Sequence, residues 1–192
     1  MRLGQSFWSR GPSIAYRLTA KDFSTLQPKN PGDEDFATML QAMLEITQIL
    51  NNAHEILYAA RARTLALVFA GDYNRYLDDL QNAAMGWHSA WENVPMSPRM
   101  RNSLLLMYEY LCLYVNAFSF QAILTRASSR TRSQNGQERR HSTLDAFPRG
   151  IMPIPEGRYI FDAIMAAKRI LAIMGRMDPT EEIRFLPSRY YL

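Results

Sequence analysis

Cys112 is the only thiol in a chain of 192 residues, and His54, His88 and His141 are its only histidines. These four are the natural starting points for a nucleophile, a base or a soft metal ligand, and their spacing argues against all three roles. A disulfide framework or a cysteine-based zinc cluster needs several thiolates at short intervals, and a paired-histidine site needs ligands at i and i+4. Cys112 lies between Leu111 and Leu113 with no adjacent cation to lower its pKa, so it reads as a small core residue. His54, four residues after Leu50, reads as a hydrogen-bonded edge histidine. Asp78 and Asp79 would point about 100° apart on a helix, which suits a solvated face paired with Arg75 better than a carboxylate pair sharing a proton. The sequence also lacks a phosphate-binding glycine loop, a dinucleotide fingerprint and a nucleophile elbow. The expectation is a chain with no catalytic residue, no metal ligand and no cofactor of its own.

Two other groups could still carry function. Trp87, Trp91, Tyr108 and Tyr114 combine flat apolar walls with indole and hydroxyl donors, a set suited to orienting a small polar molecule; ordinary core packing is the competing reading. Trp87 and Trp91 share a helical face. The tyrosines cannot all join them, because Tyr108 with Leu111 and Val115, or Tyr110 with Tyr114, are alternative faces. Arg139-Arg140-His141-Ser142 has the form favoured by basophilic kinases, which makes Ser142 a candidate phosphate acceptor.

The elements that would position these residues follow from periodicity. After Asp33, Glu34 and Asp35, apolar side chains recur at Met39, Met43, Ile46, Leu50, Ala53 and Leu57, predicting an amphipathic helix from about Asp35 to Tyr58. Thr64 to Ala70 is too short for periodicity to assign. A second helix opens at Gly71-Asp72 with Tyr73, Tyr76, Leu77, Leu80, Ala84, Trp87 and Trp91 on one side, and Pro95 ends it. Ser97-Pro98 then offers an N-cap and first-turn proline for a third helix to about Arg126. A fourth runs from about Glu156 to Met174, with Phe161, Ile164, Met165, Lys168, Leu171 and Met174 along or beside one stripe. No strand-like alternation appears. The fold class is all-α, a multi-helix array around the apolar helix from about Ser97 to Arg126, arranged as an irregular lead-in (1–34), a helical core (35–126), a flexible Arg/Ser-rich insert (127–150) and a helical continuation (151–192).

Leu104 to Leu124 has the length of a membrane span, but Glu109 near its middle would cost about 2.5–3.5 kcal/mol to insert, so a buried central helix is expected instead. The chain is 47% hydrophobic and carries a net charge of +4. Between Arg126 and Arg149, six arginines face only Glu138 and Asp145, so this one polar tract holds an excess equal to that of the whole chain. A basic stripe on a folded face, the footprint of a DNA reader, is therefore not expected. With one cysteine and no signal-peptide core at the start, the composition fits an intracellular protein.

The segments Leu40–Tyr58, Gly71–Asp79, Tyr108–Gln121 and Leu186–Leu192 resemble the middle regulatory region of fungal zinc-binuclear-cluster transcription factors, across most of 35–192 apart from the Arg/Ser-rich insert. The resemblance implies an all-α, non-enzymatic domain of a nuclear regulator. It would control activation by packing against other segments of the same factor or against co-regulator proteins. Such factors hold two zinc ions with six cysteines near their N-terminus; with Cys112 alone, this chain lacks that DNA-reading module, so no direct DNA contact is expected. The family's corresponding region continues into further helices. The chain is thus expected to be a fragment of a larger helical domain, prone to self-association; a small-molecule-sensing role for the aromatic quartet stands as the alternative, and a helical enzyme of unrecognised type ranks last.

Overall fold

The computed structural model describes residues 18–134 and 154–178, which form five α-helices and two short 3-10 turns, with no strand among them. The turns, Ala20–Asp22 and Ser24–Leu26, lead into α1 (Phe36–Leu57). The acidic cluster before α1 acts as the sequence suggests: Asp35 Oδ1 accepts the Thr38 amide at 3.0 Å, satisfying one of the free N–H groups of the first turn. The Thr64–Ala70 stretch belongs to a helix, α2 (Arg61–Ala70), which stops at Gly71 in the left-handed conformation (φ 80°). Glycine reaches that region without strain, and the chain turns directly into α3 (Tyr73–Trp91).

The long helix α4 (Pro98–Gln134) begins as predicted, with Ser97 Oγ accepting the Met100 amide. The same hydroxyl donates to Glu34 at 2.7 Å, tying the starts of α1 and α4 together. Its end differs from expectation. The helix passes Arg126 and continues to Gln134, into the tract read as a flexible insert, where Ser128 and Ser129 turn their hydroxyls back to the carbonyls of Leu124 and Thr125 and so sit within the helix without competing for its amides. The remainder of that tract, including Ser142, lies outside the described residues. The last helix, α5 (Gly157–Met174), ends near Gly175, whose amide donates to the Leu171 carbonyl.

Side-chain pairings fix the directions. Tyr73 meets Phe118 and Trp87 meets Tyr108, so α3 runs antiparallel to α4. Arg126 meets Glu156 and Glu109 meets Arg169, so α5 does likewise. His54 and Tyr58 reach Tyr114, and Glu34 reaches Ser97, so α1 runs alongside α4 in the same direction. The central helix is α4, with α1 and α3 on one side and α5 on another. It is the one described helix long and apolar enough to cross a membrane by length and composition, and half of its apolar window is buried within the protein. The main core joins Ile46, Leu50 and Leu57 of α1, Leu77 and Leu80 of α3, and Leu104, Leu111, Val115 and Phe118 of α4. A small second cluster holds Leu106 of α4 against Ile173 and Met177.

The predicted stripe on the last helix faces the other way. Gly157, Tyr159, Ile160, Ala163, Ala166 and Ile173 are the buried residues of α5, whereas Phe161, Ile164 and Leu171 are exposed. Apolar residues occur on both sides of this helix, and the tightly packed side is the one bearing alanines, which let α5 approach α4 closely.

Candidate functional site

The aromatic quartet does not converge. Trp87 stacks on Tyr108, with ring centroids 6.2 Å apart, and its indole N–H donates to the Ala42 carbonyl of α1 at 3.1 Å. Trp91, one turn on, donates to Glu45 Oε2 at 2.8 Å; the other oxygen of that carboxylate accepts Gln41 Nε2 at 2.9 Å. Tyr108 is thus the tyrosine that joins Trp87, its ring also meeting that of His88 at 4.6 Å. Tyr114 stands apart, on the side of α4 that meets the end of α1. Its hydroxyl lies 2.8 Å from His54 Nδ1, its ring lies 4.9 Å from that of Tyr58, and the Tyr58 hydroxyl donates to its backbone carbonyl. Burial raises the phenol pKa of Tyr58, Tyr108 and Tyr114 alike, so these hydroxyls hold their protons across the physiological range.

A more developed polar arrangement lies where α3, α4 and α5 meet. Arg126 donates to the Tyr73 hydroxyl at 3.1 Å, Tyr73 donates to Glu156 Oε1 at 2.8 Å, and Arg126 also bonds Glu156 directly. Tyr73 is fully buried and Glu156 nearly so, just before α5. Burial alone would raise the Glu156 pKa, but the hydrogen bonds from Arg126 and Tyr73 outweigh it and hold the carboxyl below its ordinary value. Burial and the adjacent carboxylate both raise the pKa of Tyr73. The sequence reading passed over this triad because its members are up to 83 residues apart; no local spacing connects them.

Two further polar links join α4 to its neighbours. Gln81 of α3 donates to Asn116 Oδ1 at 2.7 Å and also reaches Asp162 of α5, while Asn116 returns its own amide to the Cys112 carbonyl. Arg169 Nε donates to Glu109 Oε1 at 2.6 Å; among the described residues the buried Glu109 Oε2 has no partner. A signal for these was present: Glu109 and Asn116 are seven residues apart in an otherwise apolar helix, hence on one face. Burial pushes the Cys112 thiol up to about 11, consistent with a structural cysteine. Asp78 reaches across to Arg158 at 2.6 Å, and to the Tyr159 hydroxyl at 2.8 Å, rather than along its own helix to Arg75.

Among the described residues no group of three or more histidines, cysteines or carboxylates is placed to hold a metal ion. The polar side chains described above bond helix to helix. Their chemistry is that of register and rigidity: a guanidinium shared between a phenol and a carboxylate, and an amide bridge inside an apolar interface. No protein-family model, curated protein or solved structure matches the chain.

Proposed function

We propose that this chain is the middle regulatory region of a fungal transcription factor of the zinc-binuclear-cluster class: a nuclear, non-enzymatic domain that controls activation by packing against other segments of the factor or against co-regulators. The resemblance of Leu40–Tyr58, Gly71–Asp79 and Tyr108–Gln121 supports the family. The observation that supports a packing role over a chemical one is the Arg126–Tyr73–Glu156 triad. The most elaborate polar cluster among the described residues serves to hold three helices in register, and its guanidinium, phenol and carboxylate are bonded to one another. A domain built this way works through the surface it presents. DNA contact belongs to a separate module, as does any zinc.

The direct test places the full chain between a heterologous DNA-binding module and a strong activation segment and reads a reporter gene. The expected result is a change of at least about fivefold in reporter output, lost when the core is disrupted by Phe118→Asp. A reporter indifferent to the intact chain would overturn the proposal.

A further inference from the structure

The outer face of α5 carries Phe161, Ile164 and Leu171, which are 50%, 45% and 70% exposed. They stand at i, i+3 and i+10, with Lys168 completing the row at i+7, so they form one stripe about 15 Å long on a helix rising 1.5 Å per residue. Other large exposed apolar residues, such as Phe36, Phe69 and Met85, are distributed singly over α1, α2 and α3. Single exposed hydrophobes are ordinary on a protein surface, whereas three on one face of one helix, around a single lysine, suit the docking of another element.

The charges around the stripe say what that element is. The exposed charged residues between 154 and 178 are Arg158, Lys168, Arg169, Arg176 and Asp178; Arg158 and Arg169 are paired with Asp78 and Glu109, which leaves Lys168 and Arg176 as the cations that face outward against Asp178. Lys168 stands in the apolar row itself. We propose that the outer face of α5 docks an amphipathic helix of acidic character, with apolar side chains at i, i+3 or i+4, and i+7 and carboxylates on its flanks. The row on α5 supplies the spacing that a helix reads, and the surrounding cations supply the charge complement. From behind, α5 is fixed to α4 by Arg126–Glu156 and Glu109–Arg169 and by the buried Ala163 and Ala166, so its outer face is already ordered before binding. The inference deepens the packing role proposed above, and rests on it.

The test uses the full chain and three probes: an 18-residue helical peptide with leucines at i, i+3, i+7 and i+10 flanked by glutamates, the same peptide flanked by lysines, and vesicles of anionic phospholipid. Fluorescence anisotropy should show saturable binding of the glutamate-flanked peptide at least about tenfold tighter than that of the lysine-flanked one. Leu171→Glu should abolish binding. The double variant Lys168→Glu, Arg176→Glu, which keeps the stripe intact, should reverse the preference between the two peptides. All of these positions are exposed, and an unchanged thermal melt establishes that each variant is folded. Equal affinity for both peptides overturns the proposal, as does binding to vesicles without binding to peptide. A dimer by light scattering that Leu171→Glu dissociates assigns the stripe to a second copy and overturns it too. If docking fails while the reporter still responds to the chain, only this surface is lost; an indifferent reporter with docking intact removes the regulatory reading and leaves the surface.

Discussion

The two sides of α4 are built on different principles. Toward α1 and α3, Leu104, Leu111, Val115, Phe118 and Ala122 enter one apolar cluster, and the rings of Tyr58 and Tyr73 meet Phe118 edge-on at 5.4 and 5.3 Å. Toward α5, Glu109 and Arg126 interrupt the apolar surface by pairing with Arg169 and Glu156, Tyr159 reaches the main cluster, and Leu106, Ile173 and Met177 form a small cluster of their own. The first side gains most from area removed from water, a term that tolerates small shifts of register. The second depends on charge-assisted bonds that break when a helix slides by one turn. The α1/α3 side is therefore held by the apolar cluster, whereas on the α5 side close packing through Ala163 and Ala166 is joined by ion pairs that fix the register.

The contrast fails first if the apolar side proves soft. Phe118→Ala should lower stability by about 4 kcal/mol, read from urea unfolding, since a fully buried ring wedged between two tyrosines leaves a cavity that neighbours cannot fill. On the α5 side, the thiol is the sensor. With the Cys112 pKa raised from 9.0 to about 11, alkylation by iodoacetamide at pH 8 should be about a hundredfold slower in the native than in the denatured chain. Arg126→Met should cost about 2 kcal/mol, because it leaves the Glu156 carboxylate buried without its cation. That loss carries a pH signature. The folded Glu156 pKa lies below the ordinary 4.5, so its stabilisation is complete above pH 4.5 and disappears as pH falls through the folded value. The acid limb of the stability curve should accordingly be flatter in Glu156→Gln than in the parent. The Asp78–Arg158 pair is about half exposed, and Asp78→Ala should cost less than about 1 kcal/mol. Leu171→Glu, on the open face, should change stability by less than about 0.5 kcal/mol.

What could be read from the sequence divides along the same line. The α1 and α3 stripes were legible because Ile46, Leu50, Ala53 and Leu57, or Leu77, Leu80, Ala84 and Trp87, repeat at helical spacing, and the caps at Asp35, Gly71 and Ser97 mark their ends by local chemistry. The α5 side was misread. Phe161, Ile164 and Leu171 outweigh Ala163 and Ala166 in hydrophobicity, yet close approach to α4 favours the small residues, a preference that exists only once the partner helix is present. The extent of α4 was underestimated because serine and arginine suggest a solvated connector, although hydroxyls returned to the preceding turn are compatible with a helix. Of the aromatic quartet, the sequence identified helical faces but not which face of α4 meets which neighbour, and so grouped Tyr114 with tryptophans it does not approach. Pairings such as Tyr73 with Glu156 arise from topology alone.

The bond from the Trp87 indole to the Ala42 carbonyl also gives the molecule a built-in optical reporter. A buried, hydrogen-bonded indole stacked on a phenol emits from an environment sealed off from bulk water, and separation of α3 from α1 would hydrate it and shift its emission to longer wavelength. Helix α5 has no tryptophan, and its one phenol is that of Tyr159. Cys112 lies beside Tyr108 and within the influence of Arg169 and Asp162 of α5, so in a single sample its labelling reports on the α5 contact while tryptophan emission reports on the contact between α3 and α1. If α5 detaches while α1 and α3 stay closed, thiol modification will run ahead of the spectral change.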